Sequence, residues 1–197
     1  MFGFGKRNRG PVPFEVQLHI LAEHNICLCP DVTPDDLLRE WNPEDFESDP
    51  YLSLLLAMGG ERPDNPDLCY SDDIFWCDTE CIEDHGDYAR IARRMSALTR
   101  GALVFDNLRD YVDVEEQVAW IEAEIDGDTV RYEARVDDDW LDPDIFIWFD
   151  ALLRSRPGAR RYTYIDLGGQ DCLLGCCTPA QLAPLRRATG LDIQWLI

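Results

Sequence analysis

The chain has 197 residues and a formal net charge of −21, from 39 acidic residues against 18 Lys and Arg. That imbalance repels nucleic acid and anionic membrane surfaces and attracts basic partners. With 46% hydrophobic and 11% aromatic residues, the chain has the means to bury a core, which acidic disordered tails lack. The length fits a single domain.

Residues 1–10 read as a flexible N-terminus. Their positive charges precede no apolar stretch, so they do not form a secretory signal. No apolar run approaches the length of a bilayer span. The expected location is the cytoplasm.

Residues 11–101 read as mainly helical. Helices are expected at 12–25 and at 50–58, the second ending before Gly59-Gly60. Residues 30–49 and 59–69 are acidic and turn-rich and read as loops. Thr33-Pro34 and Asp49-Pro50 each place a capping residue before a proline, whose missing N–H costs nothing at a helix start. Asp78, Glu80, Glu83, Asp84 and His85 form an acidic cluster that reads as a solvated face. A helix over 87–100 carries its apolar stripe at Tyr88, Ile91, Ala92, Met95 and Leu98, and Gly101 stops it.

Residues 102–197 carry the expected strands. The first is a short one at 102–108. Asp126-Gly127 suits a two-residue type I′ turn joining strands 118–125 and 128–136. That turn sets Ile125 opposite Asp128, Ala123 opposite Val130, Glu122 opposite Arg131 and Ile121 opposite Tyr132. Asp142-Pro143 opens a helix running to 154. A second hairpin joins 161–166 to 171–176. Thr178-Pro179 with Gln181 forms a capping box for a helix over 179–189, and a last strand is expected at 192–196. This order predicts an α+β fold, with a mostly antiparallel sheet, helices packed on one face and a helical N-terminal third.

Eight cysteines invite a metal reading. Cys27-x-Cys29, and Cys77-x3-Cys81 with His85 four residues further on, come nearest to zinc-ligand spacing, without the paired CxxC of ribbons and fingers. A zinc protein, structural or hydrolytic, built on Cys77, Cys81 and His85 is the alternative reading; the leading one has no cofactor and no catalytic residues. Cys176-Cys177 precede a helix start, and they read as strand residues.

Between residues 104 and 150 sixteen acidic residues face three arginines. Asp137, Asp138, Asp139 and Trp140 join a flanking aromatic to three carboxylates, a combination suited to anchoring a basic partner. Glu115, Glu116, Asp126 and Asp128 are the expected rim.

The stretches VRYEARVDDDWLDPDIFIWFDALL and RRYTYIDLGGQDCLLGCCTPAQLAPLRRATGL resemble uncharacterised bacterial α+β proteins found among polymorphic-toxin immunity and other small cytoplasmic families. The likeness spans residues 102–191. It rests on a strand ending in an acidic D-W-L-D turn, a GGQD hairpin and a T-P-capped helix ending in T-G-L. It implies a cytoplasmic, non-enzymatic protein whose partner is a basic toxin domain, and it carries over no catalytic residue.

Overall fold

The computed structural model describes residues 10–197; the expected flexible segment, Gly10 apart, lies outside them. The elements run, in chain order, α1 (Phe14–Glu23), α2 (Pro34–Leu38), α3 (Pro43–Glu47), α4 (Leu52–Gly59), β1 (Glu61–Arg62), β2 (Asn65–Cys69), β3 (Ile74–Asp78) and α5 (Asp87–Leu98). They continue with β4 (Asp106–Asp113), β5 (Val118–Ile125), β6 (Asp128–Ala134), α6 (Asp144–Arg154), β7 (Arg161–Asp166), β8 (Asp171–Cys177), α7 (Pro179–Thr189) and β9 (Gln194–Trp195). The fold is α+β, with three small antiparallel sheets ordered β1-β2, β3-β8-β7-β9 and β4-β5-β6.

The helices do not lie on one face. The four-stranded sheet is covered on both sides. Cys77, Tyr162, Cys172 and Leu174 join a core built from α5, α6 and the three-stranded sheet. Ile74, Ile165, Leu173 and Cys177 join a second core with α1, α3, α4 and α7. This is why β8 reads Asp-Cys-Leu-Leu-Gly-Cys-Cys with four consecutive buried residues rather than an alternation.

The two stretches of the N-terminal third expected as loops, 30–49 and 59–69, hold regular elements. Residues 30–49 hold α2 and α3, each opened by a reciprocal capping box, Thr33 with Asp36 and Asn42 with Asp45. Residues 59–69 contain the β1–β2 hairpin, and β3 enters the four-stranded sheet beside β8. Gln17, buried in α1, ties this region together. Its amide donates to the carbonyls of Val12 at 2.7 Å and Phe46 at 3.0 Å, and its oxygen accepts the Tyr51 N–H at 2.7 Å. A buried amide so placed leaves none of its side-chain polar atoms unpaired.

The β5–β6 hairpin has the expected register, Ile125↔Asp128 through Ile121↔Tyr132. Asp126 at φ 53 and Gly127 at φ 88 supply the two positive dihedrals of its turn. The preceding strand, however, is Asp106–Asp113 and not 102–108. Residues 102–105 instead close the C-terminus of α5, where the Ser96 hydroxyl donates to the Leu103 carbonyl at 2.8 Å.

Candidate functional site

The N-terminus of α5 fixes one side of the site. Its cap comes from another element. The Asp110 carboxylate on β4 accepts the Gly86 N–H at 2.9 Å and the Ala89 N–H at 3.2 Å. A carboxylate at that end is favoured by the helix dipole as well as by the orphan amides. Just before the helix, residues 79–82 lie against the loop after β6. Cys81 and Ile82 donate their N–H groups to the Asp139 carbonyl at 3.0 and 2.9 Å, and Leu141 donates to the Thr79 carbonyl at 2.7 Å. Glu80 and Trp140 form an isolated antiparallel bridge.

That bridge joins two acidic segments that stand more than fifty residues apart in sequence. Asp78, Glu80, Glu83 and Asp84 come from one, and Asp137, Asp138 and Asp139 from the other. Among the described residues none of these seven carboxylates has an arginine ion pair within 4.0 Å; Asp84 has the His85 imidazole at 3.5 Å. The Gln170 amide donates to Asp78 at 3.0 Å and to Glu80 at 2.7 Å. Trp140 sits at the seam and is 40% exposed. The shape of the β6–α6 loop is held from below by Asp142, whose carboxylate accepts the Tyr132 hydroxyl and the Arg135 N–H, both at 2.8 Å. Burial pushes the Asp142 carboxyl up, but these bonds and the Arg135 guanidinium outweigh it and hold it below the ordinary value.

The other expected rim residues divide. Glu115 and Glu116 lie in the β4–β5 turn, at the end of the sheet from which the Asp137–Trp140 loop departs. Asp126 and Asp128 lie at the opposite end, about 24 Å away along the eight residues of β5. Asp126 is there paired with Arg156.

The exposed sheet face between the two ends is not a uniform acidic field. Glu122 is flanked by Arg109 and Arg131, one from each neighbouring strand. Tyr111 stacks on Trp120 at 6.1 Å between ring centroids, and the Arg131 guanidinium lies 4.1 Å from the Trp120 ring centroid. His85 packs on Tyr111 at 4.7 Å and continues this row toward the acidic segments. Aromatic rings and arginine of this kind are the groups that interfaces use as anchors.

The zinc ligands are not assembled. Cys77 and Cys81 are neighbours, but the His85 Nδ1 accepts the Val112 N–H at 3.1 Å. Cys27 and Cys29 lie elsewhere: the Cys27 N–H donates to Asp73 and the Cys29 N–H to the Tyr70 carbonyl. Among the described residues no group of three His, Cys, Asp or Glu side chains is placed to hold a metal ion. Burial pushes the Cys176 thiol up, and the Cys177 thiol up to about 11, so neither is an activated nucleophile at neutral pH. No helix among the described residues is long and apolar enough to cross a membrane.

No family model matches the chain, and neither curated proteins nor solved structures contain a significant match to it.

Proposed function

We propose that this chain is a non-enzymatic binding protein that holds a basic protein domain against the acidic surface around Trp140, as an immunity protein does when it covers the cationic face of a toxin. One observation carries the reading. Two distant segments carrying seven carboxylates are joined by main-chain pairing at an exposed tryptophan, and among the described residues none of the seven has an arginine counter-ion. Like charges held together repel one another, so the surface is stabilised by a partner that brings positive charge. Charge of this density accelerates encounter, and the aromatic residue supplies the buried contact that slows release.

The direct test is co-expression with a growth-arresting basic domain encoded beside this chain. The expected result is rescue of growth and a 1:1 complex on gel filtration. Trp140→Ala should weaken that complex by about 30-fold, mainly through faster dissociation, since a central Trp anchor is worth about 2 kcal/mol. No complex in the wild type refutes the function. An unchanged dissociation rate in the variant removes Trp140 from the interface.

A further inference from the structure

On the side of α5 turned toward the β3 edge there is a cavity of about 500 Å3. Cys77 and Cys81 line it, together with Trp76, Arg90, Arg93 and Arg94. The three arginines share the lining with the carboxylates of Glu61 and Asp78. Arg90 is held by Glu61 at 2.9 Å and Asp87 at 3.4 Å, and Arg94 donates to the carbonyls of Ser71 and Ile74 at 3.0 and 2.9 Å. Arg93 is exposed and forms no ion pair with any described residue.

The sheet explains why the thiols meet. Cys77 on β3 stands directly opposite Cys172 on β8, and the turn at residues 79–82 returns Cys81 to the same place. The Cys77 thiol neighbours both sulfurs and donates to the Asp78 carbonyl at 3.5 Å. Cys77 is 2% exposed whereas Cys81 is partly open, and all three are free thiols. The cavity thus offers a half-open sulfur with Arg90 beside it, and a buried sulfur behind it. The hydrogen bond from Cys77 and the charge of Arg90 draw the Cys81 thiol down despite its burial. Hydrogen bonding to Cys172 and Cys81, together with burial, holds the Cys77 thiol well up. By exposure, the half-open Cys81 sulfur is the one a small oxidant reaches first, and the buried Cys77 sulfur stands behind it.

We propose that Cys81 is a hydroperoxide-reactive thiol and that Cys77 is its resolving partner, the two forming a reversible disulfide that lines this cavity. The Cys81 thiolate attacks the distal oxygen of the hydroperoxide. The O–O bond breaks, the alkoxide or hydroxide leaves and takes up a proton, and Cys81 becomes a sulfenic acid. The Cys77 sulfur then attacks the Cys81 sulfur, the S–O bond breaks and water departs with the Cys77 proton. Two thiols are oxidised by two electrons and one hydroperoxide is reduced. A thiol reductant reverses the bond by exchange. This chemistry stands independently of the acidic surface.

The test is treatment of the reduced full-length protein at pH 7 with one equivalent of hydrogen peroxide, followed by peptide mapping under non-reducing conditions. The expected product is a Cys77–Cys81 disulfide. With Cys77→Ser, dimedone should trap a sulfenic acid at Cys81. With Cys81→Ser, oxidation of Cys77 should slow at least tenfold. Far-ultraviolet circular dichroism checks that both variants remain folded, and the wild-type map decides the proposal without them. A Cys77–Cys172 bond as the first product overturns it, as does oxidation of the exposed Cys27 ahead of Cys81.

Discussion

Asp142→Ala is expected to lower the unfolding free energy by about 3–4 kcal/mol, the scale for removing one member of a buried, hydrogen-bonded charged network. The residue is 4% exposed. Its carboxylate accepts from the Tyr132 hydroxyl, the Arg135 amide and guanidinium, and the Asp144 amide at the start of α6. Alanine leaves the first two donors without an acceptor in a site that water enters poorly. Arg135 is 70% exposed, so its ion pair is screened and adds little to this figure. Asp142→Asn keeps the shape and one acceptor and should cost about half as much. The pH dependence has a definite sign. The folded carboxyl lies below its ordinary 3.8, so its stabilisation is fully present above that value and disappears as pH falls through the folded value. Urea denaturation between pH 2.5 and 7 should therefore show a shallower acid limb for Asp142→Asn than for the wild type. Parallel limbs would mean that the carboxylate is not charged in the folded protein.

Gly59→Ala is expected to cost about 2–3 kcal/mol, the scale for overpacking a closed core. Gly59 ends α4 where that helix meets β3. A Cβ there would lie 2.6 Å from the Trp76 amide nitrogen and 3.1 Å from the Phe75 carbonyl carbon, both backbone atoms of a paired strand. Neither can yield without disturbing the β3–β8 ladder. The neighbouring Gly60→Ala is the matched control. Its Cβ would meet helix carbonyls at 3.5 and 3.6 Å, which is ordinary contact, and its φ of −78 suits alanine. It should remain within about 0.5 kcal/mol of the wild type. Urea midpoints at constant m-value separate the two outcomes. Equal midpoints for both variants would show that α4 and β3 do not touch closely.

Elements whose cause is local were legible from sequence. Asp126-Gly127 carries its own turn geometry, so the β5–β6 register followed without reference to the rest of the chain. Thr178 and Gln181 likewise announce α7. Elements whose cause lies far away were not. β3, Ile-Phe-Trp-Cys-Asp, has both faces in use and pairs with a strand nearly a hundred residues on, so no alternation marks it. β4, Asp-Asn-Leu-Arg-Asp-Tyr-Val-Asp, is too charged to resemble a strand, because its Asp110 serves as the cap of α5. The surface around Trp140 divides in the same way. Asp137 to Trp140 stood out as a run, while the acids from Asp78 to Asp84 read as an ordinary solvated face. Main-chain pairing of residues 79–82 with 139–141 makes them one surface, and pairing between main chains leaves no mark on side-chain pattern.

Asp137→Lys, Asp138→Lys and Asp139→Lys combined, set against Asp128→Lys at the far end of the sheet, test the acidic surface most directly. The quantity to measure is the association rate constant for the basic partner between 50 and 500 mM salt. If the partner docks around Trp140, the triple variant should associate at least 100-fold more slowly at low salt and lose most of its salt dependence, since steering acts over about one Debye length. Asp128→Lys, roughly 24 Å away along β5, should stay within threefold of the wild type. Equal slowing by the two variants, or none by either, would contradict a docking site at this surface.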